Sequence, residues 1–317
     1  MKIIELHHPY CPTQLVDEPI VLALGFFDGV HLGHQAVIER AKQEAQARGL
    51  KLAVMTFKQH PKLMYLSEMA TPIHYLTTNQ RKAELFAEFG VDILYLIDFT
   101  REFSLQSPQA FVDTYIVGLQ AQVVVAGYDY TYGKPDSANM QTLPTHAQHR
   151  FAIVEVAQLT HGDHKVGSSN IRTLIASGQI EAANAELGYI YETTGIVVHG
   201  EKRGRTIGYP TANVQTTADE LLPGRGIYVV AFHVDGNWYQ GMASIGYNVT
   251  FASKTGLTCE VHVLDFDEMI YGKNVKIRWY HYLRSEIKFD GIEGLIQQLD
   301  QDQVNTRAFF AEKGSIC

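Results

Sequence analysis

The 317-residue chain has only three cysteines, Cys11, Cys259 and Cys317, an odd and scattered set with no CxxC pair. That excludes a disulfide framework, supplies no zinc-site spacing, and reads as thiols kept reduced. No apolar run approaches the ~20 residues that a membrane helix needs. The first residues, Met1 to Pro9, lack a long apolar core and a cleavage-type pattern, which argues against a signal peptide. Positive charge is not in excess either: 26 Lys and Arg stand against 34 Asp and Glu, a formal charge of −8. A general nucleic-acid binder would carry a basic footprint instead. Internal repeats and low-complexity linkers are also lacking. These absences point to a cytoplasmic protein with no nucleic-acid or membrane partner; an oligomeric state is not legible.

What is present is ordinary for a globular protein, 46% hydrophobic and 19% charged, and long enough for two cores. The two halves follow different patterns. In the first, apolar strand-like segments at 20–25, 51–57, 91–97, 122–127 and 151–156 alternate with helical patterns at 35–48, 79–89 and 108–117. In the 79–89 helix, Ala83, Phe86, Ala87 and Phe89 form an apolar face, with Arg81, Lys82, Glu84 and Glu88 expected outside. Such alternation predicts a doubly wound parallel sheet with ligands at the carboxyl ends of its strands. Helical patterns at 169–177 and 180–187 close this half. Strands at 194–199, 227–235, 238–245, 258–265 and 275–282, separated by turn signals, then predict a compact β-barrel followed by a helix over 291–313. In that helix Ile292, Leu295, Ile296 and Leu299 share a face. The expected domains are residues 1–187 and 188–317.

The most telling stretch is Gly25-Phe26-Phe27-Asp28-Gly29-Val30-His31-Leu32-Gly33-His34, between the first apolar strand and a helix. Helix-start amides and the positive end of the macrodipole favour anions there. Gly29 permits a tight turn and Gly33 a close approach of phosphate to the backbone. Two imidazoles at that point can offset charge growing on a phosphoryl group by position and electrostatics alone. Metal ligation and a plain turn are the alternatives, the first weakened by the lack of a nearby carboxylate or cysteine. Three further segments fit. Thr56 to Pro61 ends the second strand and should lie beside the first loop. The aromatic loop Gly127-Tyr128-Asp129-Tyr130-Thr131-Tyr132-Gly133-Lys134 suits a flat heterocycle, or else packs on the core. Ser168, Ser169 and Arg172 open a helix, as phosphate ligands or as a simple N-cap.

In the second half, the run from Gly195 to Asn213 combines a glycine-rich, cationic loop (Lys202, Arg203, Gly204, Arg205) with two oxygen donors, Thr211 and Asn213. Two apart on an extended chain, these face one side and can hold Mg²⁺; a turn is the bland alternative. Strand alternation puts Glu260, His262 and Leu264 together, and an inward Glu260 in a barrel would need a partner or a function. Arg284 would lie by a ligand or in a salt bridge.

The Gly25–His34 stretch resembles the adenylyltransferase half of bacterial riboflavin kinase/FAD synthetases, of the HxGH nucleotidyltransferase group. The run around Thr211 and Asn213, the Gly241–Phe251 segment and Tyr282–Phe289 resemble that family's riboflavin kinase half. Departures are Gln59 for a proline, Gly167 and Ser169 for serine and threonine, Tyr130 and Tyr132 for phenylalanines, Val249 for proline, and a different 135–141 loop. The resemblance implies that His31 and His34 stabilise the α-phosphate of ATP, cradled with Gly25, Asp28 and Gly33. It implies ATP phosphates on Ser168, Ser169 and Arg172, and FMN beside Asp129. For the kinase it implies Glu260 as general base, Thr211 and Asn213 on Mg²⁺-ATP, Lys202, Gly204 and Arg205 near phosphates, and Arg284 by flavin or nucleotide. The expected enzyme converts riboflavin to FMN and FMN to FAD, with ATP as co-substrate. Kinase activity alone and a non-catalytic flavin- or nucleotide-binding regulator are the alternatives.

Overall fold

A computed structural model describes residues 1–64, 73–161, 164–200, 203–247 and 257–314. The chain forms two compact units, Met1–Ile73 with Thr77–Gly167, and His74–Leu76 with Ser168–Cys317. Lys202, Val249 and Cys317 lie outside the described residues.

The first unit carries β1 (Lys2–Leu6), β2 (Ile20–Leu24), α1 (Leu32–Arg48), β3 (Lys51–Phe57), α2 (Asn79–Glu88), β4 (Ile93–Ile97), α3 (Arg101–Ser104), α4 (Pro108–Phe111), β5 (Ala121–Gly127), α5 (Leu143–Ala147) and β6 (Ala152–Val156). A π-helical turn, Val112–Val117, continues α4, and a hairpin of β7 (Thr160–His161) and β8 (His164–Lys165) follows. The sheet order is β1-β4-β3-β2-β5-β6, all parallel. β2 and β4 are buried along their whole length, which is why they read as unbroken apolar runs: both sheet faces are covered. From β2 the chain winds to β3 and β4 on one side and later to β5 and β6 on the other. The switch between β2 and β5 is where such sheets bind ligands. The edge strand β1 was not visible as a pattern, having only Ile4 and Leu6 buried.

Helix α2 corrects one expectation. Arg81 and Lys82 are buried, whereas Ala87 is exposed, so the core face runs through Arg81, Lys82, Leu85 and Phe86. Lys82 turns its ammonium inward onto the Phe57 carbonyl at 3.2 Å.

In the second unit, α6 (Ser168–Ala176) and α7 (Ile180–Leu187) precede β9 (Glu192–Val198), β10 (Ala212–Thr216), β11 (Gly226–Val234), β12 (Asn237–Tyr247), β13 (Leu257–Val263), β14 (Asn274–Arg284) and α8 (Ile292–Lys313). The six strands close a barrel in the order β10-β13-β12-β11-β14-β9, with antiparallel pairs throughout. Val197, Val214, Val230, Phe232, Ile245, Val261 and Trp279 belong to its core, and the Trp279 indole donates to Thr193 Oγ1 at 2.9 Å. The asparagine Asn184 pins α7 to the barrel, donating to the Trp279 carbonyl and accepting from the Tyr191 amide. These two helices thus pack with the barrel, and the units divide at 167/168, twenty residues before the boundary expected from sequence.

Two further expectations change. Glu260 does not point inward: Cys259, Val261 and Val263 take the inward positions of β13, leaving Glu260 and His262 on the outer face. The reason is the period of two, since an apolar interior assigns every second residue outward. In α8 the buried residues are Asp302, Thr306 and Phe310, while Ile292 is exposed. Phe310 packs with Val229 and Ala231, and buried Asp302 accepts from Arg284 Nε at 3.0 Å and Nη2 at 2.6 Å. For Arg284 the salt-bridge alternative is therefore the geometry observed.

Removing one partner of such a pair leaves a buried charge uncompensated. Asp302→Ala should destabilise the barrel by about 3–5 kcal/mol, with most of the loss recovered in Arg284→Met/Asp302→Leu. Urea unfolding followed by fluorescence of Trp238 and Trp279, the chain's two tryptophans, measures this.

Candidate active sites

At the carboxyl end of β2, the turn adopts left-handed backbone at Phe27 (φ 55°), Gly29 (φ 81°) and Val30 (φ 37°). Two of these are not glycine, and such conformations cost of order 1–3 kcal/mol each unless their surroundings hold them. Here they do. The Asp28 carboxylate, 2% exposed, accepts from the Thr77 amide at 3.2 Å and hydroxyl at 3.4 Å, and Thr77 Oγ1 accepts from the Gly29 amide at 2.9 Å. Thr56 donates to the Phe26 carbonyl at 2.7 Å and Gln35 to the Val30 carbonyl at 2.8 Å. A Cβ on Gly25 would meet the Phe27 ring at 2.7 Å. His60 packs on Phe26, ring centroids 4.7 Å apart, so the end of β3 does lie beside this loop.

His31 caps α1: its Nδ1 accepts from the His34 amide at 3.4 Å, so the proton of the neutral ring sits on Nε2. The His31 and His34 rings stack at 3.6 Å between centroids. Gly33 leaves room for this stack: a Cβ there would lie 3.2 Å from the His31 ring and press it aside by a few tenths of an ångström. Burial lowers the His31 pKa to about 4, helped by Lys165 and opposed by Asp129. Burial also holds His34 well below its usual value, with His31, Lys82 and Lys165 adding repulsion. Among the described residues, the buried His34 Nδ1 has no hydrogen-bond partner. Two neutral imidazoles at the N-terminus of a 17-residue helix with no acidic residue in its first turn form an anion site built from dipoles. The metal alternative gains no third ligand: among the described residues, no group of three or more His, Cys, Asp or Glu is arranged to hold an ion.

Asp129 follows β5 and pairs with Lys165 of β8 at 2.6 Å, and that ammonium lies 5.0 Å from the centre of the Tyr128 ring. Tyr130 and Tyr132 pack against the core. Tyr132 stacks on Phe111 at 5.6 Å and shares a 2.7 Å hydrogen bond with His146 Nδ1. For these two rings the core-packing alternative holds. Lys165 and Lys82 were not singled out in the sequence, where an isolated lysine has no pattern. In the second unit, Ser168 and Ser169 open α6, and Arg172 Nε donates to the His74 carbonyl at 3.0 Å.

The other constellation lies on the outer face of the barrel. Asn213 of β10 stands directly across from Glu260 of β13, which in turn faces Ser244 of β12. Thr211 Oγ1 donates to Glu260 Oε2 at 3.2 Å. A Cβ on Gly200 would come within 2.2 Å of the Asn213 carboxamide and displace it, and one on Gly204 would come within 2.2 Å of the Tyr209 carbonyl, so Gly204 is sterically required. Arg205 is exposed on the same loop. Groups not singled out by sequence hold Thr211 in place. His262 Nδ1 donates to the Pro210 carbonyl at 2.8 Å, and the Tyr209 hydroxyl donates to Asp300 of α8. Hydroxyl, carboxamide and carboxylate oxygens converge here, the hard-donor set that suits Mg²⁺.

Sequence comparison agrees with this division. The FAD synthetase family profile matches residues 13–170 and the riboflavin kinase profile residues 187–310. A Listeria monocytogenes bifunctional riboflavin kinase/FMN adenylyltransferase is 51% identical, covering 98% of this chain and 99% of its own. The Bacillus subtilis protein of the same description is 42% identical over 98% of this chain and 99% of its own. The chain belongs to the bifunctional riboflavin kinase/FMN adenylyltransferase family. A crystal structure described as a macrolide-efflux protein from Streptococcus pneumoniae superposes with a TM-score of 0.87 at 33% identity, covering 96% of this chain and 99% of that one. Among the described residues of this family member, no helix is long and apolar enough to cross a membrane.

The histidine pair carries a pH signature. With a folded value of about 4 for His31, the unfolded chain (value ~6.5) takes up its proton first as pH falls. Stability present above pH ~6.5 is therefore lost progressively down to about pH 4. Histidine NMR titration should show the His31 ring still neutral at pH 5.5, and a urea midpoint for the first unit that falls with acid less steeply in His31→Asn.

Proposed function

We infer that the chain is a bifunctional enzyme of flavin-cofactor synthesis: its second half phosphorylates riboflavin to FMN, and its first half adenylylates FMN to FAD. The observation that carries this reading is the presence of two separate constellations, His31/His34 and Thr211/Asn213/Glu260, each inside its own family match.

In the kinase step, the Glu260 carboxylate takes the proton of the ribityl 5′-hydroxyl as that oxygen attacks the γ-phosphorus of ATP, and ADP leaves. The Thr211 hydroxyl orients Glu260, and Gly204, Arg205 and Lys202 are assigned to the phosphates. Thr211 Oγ1 and Asn213 Oδ1 would hold Mg²⁺, which supplies charge neutralisation to the polyphosphate. Arg284 serves this site by fixing α8 through Asp302. In the adenylyl step, an FMN phosphate oxygen attacks the α-phosphorus of ATP and pyrophosphate leaves. No proton need move, so a neutral His31 imidazole that donates from Nε2, with neutral His34 stacked on it, suits the growing negative charge. Gly25, Asp28 and Gly33 shape the cradle, Asp129 with Lys165 borders the FMN side, and Ser168, Ser169 and Arg172 are assigned to ATP phosphates. That assignment sets the functional boundary at 187/188. Neither step requires a covalent enzyme intermediate. With small-molecule substrates and no basic footprint, the cytoplasm is the proposed compartment.

Incubation with riboflavin, ATP and Mg²⁺ followed by flavin chromatography should yield FMN and then FAD; FMN without FAD would overturn the bifunctional reading. Asn213→Ala should abolish FMN formation and leave FMN-to-FAD conversion intact, whereas His34→Ala should do the reverse. Gly200→Ala, through its collision with Asn213, should behave like Asn213→Ala. A folded variant that loses both reactions would refute the separation of sites.

A further inference from the structure

Lys82 is a buried cation that the mechanism above does not use. It sits in the first turn of α2, whose N-cap is Thr78, where the helix dipole opposes positive charge. It is 2% exposed. Its three donors meet one acceptor, the Phe57 carbonyl at 3.2 Å, and one ring face, that of Phe26 at 4.7 Å. Among the described residues, no carboxylate lies within ion-pair distance of it. Asp28 is the acid whose field reaches it, and that carboxylate is engaged by Thr77. A cation buried in this way is unfavourable unless an anion arrives to balance it. The ring it touches belongs to the turn that carries Asp28 and His31, and its charge is felt at His34.

We propose that Lys82 is the counter-charge for the ATP polyphosphate in the adenylyl site, acting through its field from behind the Gly25–His31 turn rather than by contact. This rests on the reading of that turn as the ATP α-phosphate site. Burial lowers the Lys82 pKa to about 8, partly offset by Asp28. The free ammonium is therefore half titrated near pH 8, and a bound polyanion draws its proton back. The charged or titratable groups facing it are Asp28 from the turn and His34 from α1, and His60 packs on the Phe26 ring. His34, held well below its usual value, does not change charge above pH 7, so the proton taken up there with the nucleotide is assigned to Lys82.

The test is the ATP dependence of FMN-to-FAD conversion from pH 7 to 9.5 at saturating FMN, with riboflavin phosphorylation as the internal control. In the unsubstituted enzyme, kcat/KM for ATP should fall toward tenfold per pH unit above pH ~8, the slope of one proton. Lys82→Gln should lower it at least about tenfold at pH 7.5, with a flat profile above pH 8 and an unchanged kinase. Lys82→Arg, charged throughout, should keep most activity and also be flat. A flat profile in the unsubstituted enzyme overturns the proposal even if Lys82→Gln fails to fold. So does a Lys82→Gln enzyme with unaltered KM and profile. No FAD from FMN in the unsubstituted enzyme would instead refute the adenylyl reading itself.

Discussion

The Asp28 carboxylate, buried beneath the turn after β2, binds the Thr77 amide and hydroxyl while the Thr77 oxygen takes the Gly29 amide. This exchange holds a backbone that runs through left-handed conformations at Phe27, Gly29 and Val30, which unsupported residues would leave. Everything the first site does follows from that geometry. It sets where α1 begins, which makes His31 the N-cap, which in turn fixes the His31 tautomer and stacks its ring on His34. Hydrogen-bonding groups that water would otherwise satisfy are enclosed, and the enclosure keeps both imidazoles neutral. What this turn offers an anion is oriented N–H groups and the helix dipole.

The barrel reaches an equivalent result by another route. Closing six strands around an apolar interior leaves no inward place for a carboxylate, so Glu260 emerges on the outer face in line with Asn213 and Ser244. There it meets Thr211, whose position is set by His262 beneath Pro210 and by Asp300 through Tyr209. Thr211 is exposed and Asn213 and Glu260 are part-buried, while Tyr209, which helps aim Thr211, is buried. That suits a site that must admit a large nucleotide and still hold three oxygens in register.

Much of this was legible in the chain. β2, β3 and β5 are apolar runs bounded by turn residues, and α1 and α7 carry their caps at Gly49 and Gly188. The HxGH turn and the Gly200–Asn213 loop announce phosphate chemistry because glycine spacing and donor type are local properties. β1 escaped notice because an edge strand with two buried residues has almost no period to detect. β10 escaped because Thr211 to Asn213 reads equally well as a turn, and only pairing to β9 and β13 makes it a strand. Arg81 and Lys82 looked like the solvent face of α2, since no local pattern distinguishes a lysine that reaches water from one that reaches the Phe57 carbonyl.

Element order and the position of each glycine-rich turn are local, and composition and spacing suffice to specify them. Protonation and facing are not local. His31 is neutral because of burial beside Lys165, Glu260 faces outward because Cys259, Val261 and Val263 fill the barrel, and Arg284 is held by an aspartate eighteen residues away on another element. Each depends on desolvation and on charges brought together by folding, and those quantities exist only once distant segments share a dielectric environment.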